Sequence, residues 1–256
     1  SEEGELSPER AARRLAAWAE DAARQERWLA SRGGGLEAPL LGAGGGILRL
    51  RDFLPLEAAE NTLRVLEALP ESVWSLSEQG GDANAAEHRF WSADVADVPQ
   101  LAPLRGVFWR LLPTLRGEPT LPIFSCGRYG ASDHIGRHND EGDTPIFGPG
   151  NIFSRKVAAI WHLTREWQES EGGALVDLQP EGGGSISHVP IFNSLVVFEV
   201  PHWHAVSRVT AERYRYSIFG WWHQKKEGAA KAQAKAGKQK RRKKAAGGAA
   251  RSELES

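Results

Sequence analysis

The sequence is poor in sulfur and in long apolar runs. It has one cysteine and no methionine in 256 residues. The single Cys126 excludes an internal disulfide framework and a zinc site made of several cysteines, so we expect a reducing compartment, the cytosol or the nucleus. No apolar run approaches the roughly 18 residues of a membrane-spanning helix, and we expect no membrane association. The 41% hydrophobic residues and ten tryptophans that are present suffice for a folded core.

The chain falls into three stretches that differ in pattern. Ser7 and Pro8 are suited to the N-cap and first position of a helix whose Ala, Arg, Leu and Trp residues recur to about Ala30, and two glycine clusters follow. We assign residues 1–46 to this N-terminal helix and a Gly-rich, flexible linker. Residues 47–223 form the predicted main domain. Residues 224–256 are rich in Lys, Arg, Ala and Gly, which cannot build a core, and are predicted to be a disordered basic tail.

The main domain changes character at Leu121. Before it, the patterns predict a strand over residues 47–53 and helices over residues 54–69 and 98–115. After it, short β-rich segments alternate with Gly, Pro and Asn, over residues 121–129, 155–163, 174–178, 185–189, 194–200, 205–209 and 213–222. The predicted fold class is therefore mainly β with flanking helices. A jelly-roll core over about residues 121–223 would be buttressed by the N-terminal helices.

A candidate metal site consists of His138, Asp140 and His204. In an extended chain, positions i and i+2 project to the same side, so His138 and Asp140 can reach one ion. His204 adds a third ligand from another predicted strand, and two histidines with one carboxylate leave three positions of an octahedral iron(II) ion open. An H-x-D motif alone is weak evidence. His202 competes for the third position, but the His-x-Val pattern and the eleven-residue step to Arg215 favour His204.

A candidate carboxylate site lies on the last predicted strand. Arg215 and Ser217 share one face of this strand. A buried guanidinium offers a bidentate fork to a carboxylate, and a nearby hydroxyl adds another donor. Because the strand is otherwise aromatic and apolar, a solvated arginine is the less favoured interpretation. This face could hold the distal end of a dicarboxylic cosubstrate.

Taken in order, these motifs resemble the prolyl-hydroxylase branch of the iron(II)/2-oxoglutarate oxygenases, including the hypoxia-inducible-factor and ribosomal prolyl hydroxylases. The resemblance covers residues 121–223 closely and the preceding helices loosely. Its landmarks are Tyr129 with Gly130, then RHND at 137–140, RKVAAIWHL at 155–163, Trp167, EGGAL at 171–175, LVVF at 195–198, HAV at 204–206 and RYSI at 215–218. The resemblance implies a double-stranded β-helix that uses Fe(II), 2-oxoglutarate and O2, with ascorbate as a further candidate cofactor.

The resemblance also implies residue roles. The His138, Asp140 and His204 side chains would bind iron. Arg215 and Ser217 would bind the terminal carboxylate of 2-oxoglutarate. Beyond these metal and cosubstrate ligands it implies no separate catalytic residue.

Three further residues are predicted at the cosubstrate pocket. Tyr129 matches a tyrosine near the keto-acid end of the cosubstrate. His162 stands where the family has a tyrosine that assists the terminal carboxylate, and a histidine there predicts cosubstrate affinity that is sensitive to pH near neutrality. Trp221 is placed near the pocket, as is Trp161. The family's aromatic residue three positions before the first metal histidine is Ile135 here.

We therefore expect a 2-oxoglutarate-dependent dioxygenase that hydroxylates a C–H bond, with a prolyl residue of a protein or peptide as first choice. The alternatives are a hydroxylase of a free amino acid or small molecule and a catalytically silent jelly-roll binding module. A nucleic-acid demethylase is disfavoured by the short step to Arg215, and a zinc hydrolase would give Arg215 and Ser217 no task. The basic run at 238–244 predicts a nuclear-localisation or RNA-attracting segment, with ribosome contact as a hypothesis, or a solubilising tail.

Overall fold

The computed structural model of the chain describes residues 7–81, 86–148 and 150–226. The basic tail, apart from residues 224–226, lies outside the described residues. Within the described ranges, residues 142–148 and 150–154 group with 224–226 as a smaller unit, and the other described residues form a larger one. Among the described residues, no helix has the length and hydropathy needed to span a membrane.

Five α-helices are found in the described part of the chain: α1 Pro8–Ala19, α2 Ala22–Ser31, α3 Glu37–Gly42, α4 Leu56–Glu67 and α5 Leu104–Leu111. Helix α1 begins as predicted, because the Ser7 side chain accepts a hydrogen bond from the Arg10 N–H (3.3 Å). The predicted single helix to Ala30 is instead two helices. Asp21 interrupts it, since its carboxylate accepts from the Arg24 N–H (3.0 Å) and caps α2.

Two other helical expectations need correction. The glycine-flanked segment predicted as a flexible linker contains α3, and Leu36 and Leu40 are buried in the main core, so it is not a spacer throughout. The helix predicted over residues 98–115 is shortened to α5. Pro103 precedes α5 and disfavours helical backbone at Ala102, while Pro113 follows it. The domain boundary at residue 46 stays a prediction.

The structure has fourteen strands in its described part: β1 Leu48–Leu50, β2 Ser75–Gln79, β3 His88–Asp94, β4 Thr114–Leu115, β5 Glu118–Pro119, β6 Leu121–Tyr129, β7 His134–His138, β8 Asp143–Pro145, β9 Ile152–His162, β10 Leu175–Asp177, β11 Ile186–His188, β12 Ser194–Glu199, β13 His204–Val206 and β14 Arg215–Lys225. All seven strands predicted after Leu121 are present, with ends shifted by a few residues. Strands β2, β3, β4, β5, β7 and β8 were not predicted, and β4 lies inside the segment predicted as a helix over residues 98–115.

Twelve of these strands form one curled, mostly antiparallel sheet. Its order is β1-β12-β9-β14-β6-β3-β7-β13-β10-β11, with β2 paired to β3 and β8 paired to β9. Strand β3 connects the strands from β1 to β6 in this order with the strands from β7 to β11. Its C-terminal part pairs with β6, and its N-terminal part pairs with β7. The mainly β, jelly-roll prediction is confirmed.

The inner and outer faces of the curled sheet follow the two-residue period of its strands. On β9, Val157, Ala159 and Trp161 belong to the main core with the helices, whereas the alternate residues Ala158 and Ile160 belong to a smaller inner cluster. Trp161 was expected near the pocket, and this is wrong. Its register places it on the outer face.

Candidate active site

Two adjacent strands and one turn bring the candidate metal ligands together. His138 ends β7 and His204 begins β13, and they are directly opposed in the antiparallel ladder, with ring centroids 4.1 Å apart. Asp140 follows β7 in the left-handed conformation (φ 62°), which aspartate tolerates better than most residues. The expected extended-chain placement of Asp140 is therefore replaced by a turn. One ligand atom from each residue lies within 4.8 Å of the others.

The protonation state of each residue in this triad depends on the charges of the other two. Burial opposes ionisation of Asp140, but its hydrogen bond with His138 and the charge of His204 outweigh burial and lower its pKa. Burial likewise acts to lower the pKa of His138, yet Asp140 raises it overall. For His204, burial and the His138 charge lower the pKa to about 4. The site thus offers an anionic carboxylate beside a neutral imidazole, the forms that bind a divalent ion.

Both histidines are held in the tautomer that a metal ion needs. His138 Nδ1 donates to the Gly136 carbonyl (2.8 Å), and His204 Nδ1 donates to the His202 carbonyl (2.7 Å). The Nε2 atoms are left facing Asp140, at 3.4 Å from His138 and 3.6 Å from His204. Two imidazoles and one carboxylate fit iron(II), because this donor set leaves adjacent coordination positions free for other ligands.

Arg215 lies at the other end of the same cavity. It begins β14 opposite Tyr129 of β6, and its guanidinium carbon lies 4.1 Å from the centre of the Tyr129 ring. Its Nη1 donates to the Gly173 carbonyl. Gly173 has φ +64°, and a Cβ there would come within 3.1 Å of Arg215 Cδ, so glycine permits this close approach. Burial lowers the pKa of Arg215, although the side chain stays cationic at any working pH.

The surroundings of Arg215 hold polar atoms that lack a partner. Arg215 Nε, Ser217 Oγ and both ring nitrogens of His162 are buried and make no hydrogen bond among the described residues. Buried polar groups are normally paired, and each unpaired one costs about 1–3 kcal/mol. A carboxylate would satisfy the donors among them. This observation fits a dicarboxylic cosubstrate whose distal end lies here.

His162 is not placed to act as a pH switch near neutrality. Burial and then the charges of Arg215 and Arg49 hold the pKa of His162 well below its usual range. The imidazole therefore stays neutral across physiological pH. The predicted pH sensitivity of the cosubstrate site near pH 7 is not supported, because desolvation and two arginines oppose the proton.

The cavity between these two ends has a volume of about 170 Å³. Its wall includes all eight predicted site residues: His138, Asp140, His204, Arg215, Ser217, Tyr129, His162 and Trp221. It also contains Arg155, whose guanidinium lies 3.7 Å from the centre of the Trp221 ring and 4.0 Å from Asp140 Oδ1. Arg155 was not predicted as a site residue. The sequence did contain a signal for it, because Arg155 is the first residue of the RKVAAIWHL motif at 155–163 that carries the family resemblance.

The sequence of this region is similar to known proteins. Residues 124–223 match the family model of the 2OG-Fe(II) oxygenase superfamily. The prolyl 3-hydroxylase OGFOD1 of Xenopus laevis is 37% identical over 114 residues, which make up 41% of this chain and 20% of that protein. The match therefore spans only a fifth of the length of this curated relative.

The fold is similar to those of solved oxygenases. A Trichoplax adhaerens prolyl hydroxylase in complex with a hypoxia-inducible-factor peptide fragment superimposes with a TM-score of 0.55 at 16% identity, covering 77% of this chain and 92% of that one. A Pseudomonas putida prolyl-4-hydroxylase gives a TM-score of 0.50 at 22% identity, covering 74% and 100%. At these identities the likeness concerns the fold alone.

Proposed function

We propose that this chain hydroxylates a prolyl residue of a protein substrate. The chain belongs to the 2OG-Fe(II) oxygenase superfamily through residues 124–223. One observation carries the proposal. The His138, Asp140 and His204 triad shares a cavity with the buried Arg215, and polar atoms around Arg215 have no partner in the part of the chain that the structure describes. Hydroxylation that depends on 2-oxoglutarate requires a metal site with open coordination positions. It also requires, at a fixed separation, a site that binds the distal carboxylate of the cosubstrate.

Each part of the cavity has a separate task. His138, Asp140 and His204 would hold Fe(II), which together with 2-oxoglutarate and O2 supplies the oxidation of a C–H bond. Arg215 fixes the distal carboxylate of the cosubstrate, with Ser217 as an additional donor. The remaining wall is largely aromatic and aliphatic, so it excludes water from the reacting atoms. Ascorbate stays a candidate reductant.

Two relatives support a prolyl substrate within a protein. OGFOD1 is named a prolyl 3-hydroxylase, and the Trichoplax enzyme was solved with a peptide fragment bound. At the metal end of the cavity, Arg155 has a buried Nε that makes no hydrogen bond among the described residues, and the Trp221 ring lies against its guanidinium. The Arg155 donor suits a peptide carbonyl. A small-molecule substrate is the competing proposal.

Succinate formation from 2-oxoglutarate tests the proposal directly. We would compare the iron(II)-loaded protein with His138→Ala and Arg215→Met. The matched controls are His134→Ala, whose ring contacts Glu87, and Arg213→Met, whose guanidinium pairs with Glu171. We expect turnover in the wild type and controls only. Stimulation by proline-containing peptides, and not by free proline, would support a protein substrate. If the wild type bound neither iron(II) nor 2-oxoglutarate, the oxygenase proposal would fail, and the catalytically silent binding module would be the better interpretation.

The basic tail adds a separate proposal about location. Residues 238–244 carry a dense run of Lys and Arg, which attracts nucleic acid in a salt-dependent way. We propose that the tail concentrates the enzyme on RNA-rich particles such as ribosomes, in the cytoplasm or nucleus. Deletion of residues after Lys225 should reduce ribosome association. Unchanged association and unchanged cellular location would contradict this proposal.

A further inference from the structure

We infer that the buried Asp177–His202 pair positions the metal triad without touching the ion. This inference rests on the proposed metal-binding function of His138, Asp140 and His204 and adds two residues to it. His202 is close to the triad in sequence, yet its ring is not part of the cluster of ligand atoms. The pair is therefore a support for the site and not an alternative ligand set.

The side chains of this pair are locked to each other. His202 Nε2 donates to Asp177 Oδ1 at 2.8 Å, and both residues are almost fully buried. The same oxygen accepts the backbone N–H of Gln179 at 2.8 Å. Because Nε2 is engaged in this bond, it is not available as a metal ligand. A hydrogen bond to a buried carboxylate is among the stronger ones in a protein, so it fixes the orientation of the His202 ring.

The backbone of His202 contacts both chain segments that supply metal ligands. Its N–H donates to the carbonyl of Asn139 (3.3 Å), the residue between His138 and Asp140. Its carbonyl accepts from Nδ1 of His204 (2.7 Å). One residue thus joins the His-x-Asp turn to the distal histidine, and a shift of its peptide would move the ligands relative to one another.

The pair adds side-chain contacts to a short segment that backbone hydrogen bonds also hold. His202 lies in this segment, between β12 and β13, where the Val200 N–H donates to a neighbouring carbonyl and the Trp203 carbonyl accepts a neighbouring N–H. Asp177 is directly opposite His204 in the β10–β13 register, so Asp177 and the ligand move with the same strand pair. The Phe198 ring packs against both histidines, with centroid distances of 5.4 Å to His202 and 4.8 Å to His204.

A buried, hydrogen-bonded polar pair is a weak source of stability but a good source of fixed geometry. Replacing both partners by apolar residues of similar size often leaves a protein as stable as before, whereas removing one partner leaves a buried polar group unpaired. This difference separates a positioning role from a structural one. The apolar double variant Asp177→Leu with His202→Phe should recover stability but not metal affinity.

Cobalt(II) binding to the full chain, followed by visible absorbance well below each variant's Tm, tests the inference without turnover. We expect His202→Phe to weaken Co(II) binding by about 10- to 100-fold, the usual effect of losing a residue that supports a metal ligand. Asp177→Asn should weaken it in the same direction. Asn193→Ser is the matched control, because Asn193 is buried and binds Trp161 and Leu54 on the outer face. It should lower Tm and leave Co(II) affinity unchanged.

The outcomes are separable. Co(II) affinity within about twofold of wild type in His202→Phe, or a double variant that recovers affinity together with stability, would overturn the positioning role. If His202→Phe does not fold, Asp177→Asn decides in the same assay. A wild-type chain that binds no Co(II) would overturn the proposed function itself.

Discussion

The two faces of strands β9 and β14 differ in how their polar atoms are satisfied. On the outer face, which packs against the helices, Trp161 Nε1 donates to Asn193 Oδ1 at 3.1 Å. On the inner face, His162, Arg215 and Ser217 carry buried polar atoms that have no partner among the described residues. Neighbouring residues of one strand thus belong either to a completed core or to an incomplete pocket.

The difference shows that stability and ligand binding come from alternate residues of the same strands. Unpaired buried donors destabilise the ligand-free protein, and the packed outer face has to offset this. A ligand that pairs with the inner donors would add stability by mass action. Substitutions on the two faces should therefore separate stability from affinity.

The largest effect is expected on the outer face. Trp161 is fully buried, and Trp161→Ala should lower the free energy of unfolding by about 3–5 kcal/mol, measured by urea denaturation, because it leaves a large cavity. The folded variant should bind 2-oxoglutarate normally. Trp109→Ala, at an exposed tryptophan, should change stability by less than about 0.5 kcal/mol. Weaker cosubstrate binding by folded Trp161→Ala would show that the faces are not separable.

On the inner face, Arg215→Met should have the opposite effect, with weaker 2-oxoglutarate binding and little change in stability. Losing charged hydrogen bonds worth about 3 kcal/mol weakens 2-oxoglutarate binding by roughly 100-fold, as measured by calorimetry with Co(II) present. Ligand-free stability should change little, because removing the desolvated charge offsets the loss of the hydrogen bond to the Gly173 carbonyl. Arg213→Met, on the surface, should bind 2-oxoglutarate like the wild type. A loss of stability in Arg215→Met without loss of affinity would assign Arg215 to the core.

The acid sensitivity of stability should depend on His162. Its pKa is depressed in the folded state, so below about pH 6.5 the unfolded chain binds a proton that the folded chain does not. Stability is therefore lost as pH falls below 6.5, by up to about 1.4 kcal/mol per pH unit from this group. His162→Gln should reduce the slope between pH 6.5 and 5 in denaturation experiments. Equal slopes in both proteins would contradict a buried, neutral His162.

The smallest effect is expected from Ser217→Ala. One neutral hydroxyl contributes about 0.5–1.5 kcal/mol, so 2-oxoglutarate affinity should fall by roughly 3- to 10-fold in the same calorimetric assay. Ligand-free stability should not decrease, because the hydroxyl makes no hydrogen bond in the described part of the chain. Thr62→Ala removes a buried, hydrogen-bonded hydroxyl in α4, so it should lower stability and leave 2-oxoglutarate affinity unchanged. Unchanged affinity in Ser217→Ala would remove Ser217 from the site.

Much of the fold and the candidate site could be predicted because their signals are local. Strand β6 has the bounds predicted from its residues, and Ser7 caps α1 as its side chain and the following proline indicated. The eight site residues stood out as chemically unusual groups in strand-like or turn-like surroundings. All of them line one cavity.

Other features could not be predicted because they depend on partners distant in sequence. Trp161 was assigned to the wrong face, since alternation shows that neighbours diverge but not which of them faces inward. The Asp177–His202 pair joins residues 25 positions apart whose contact exists only through the β10–β13 ladder. The low pKa of His162 is caused first by burial within the curled sheet and then by the charges of Arg215 and Arg49 from two other strands.

By itself the sequence determined which residue types were available and in what order: a β-rich C-terminal half, a His-x-Asp motif, a distal histidine and an arginine eleven residues later. Only the tertiary structure decided which side of each strand became the pocket, how Asp140 turns towards both histidines, and which polar atoms stay unpaired. The physical reason is that side-chain identity is local, whereas burial and hydrogen-bond pairing are set by strands that meet after the sheet has curled.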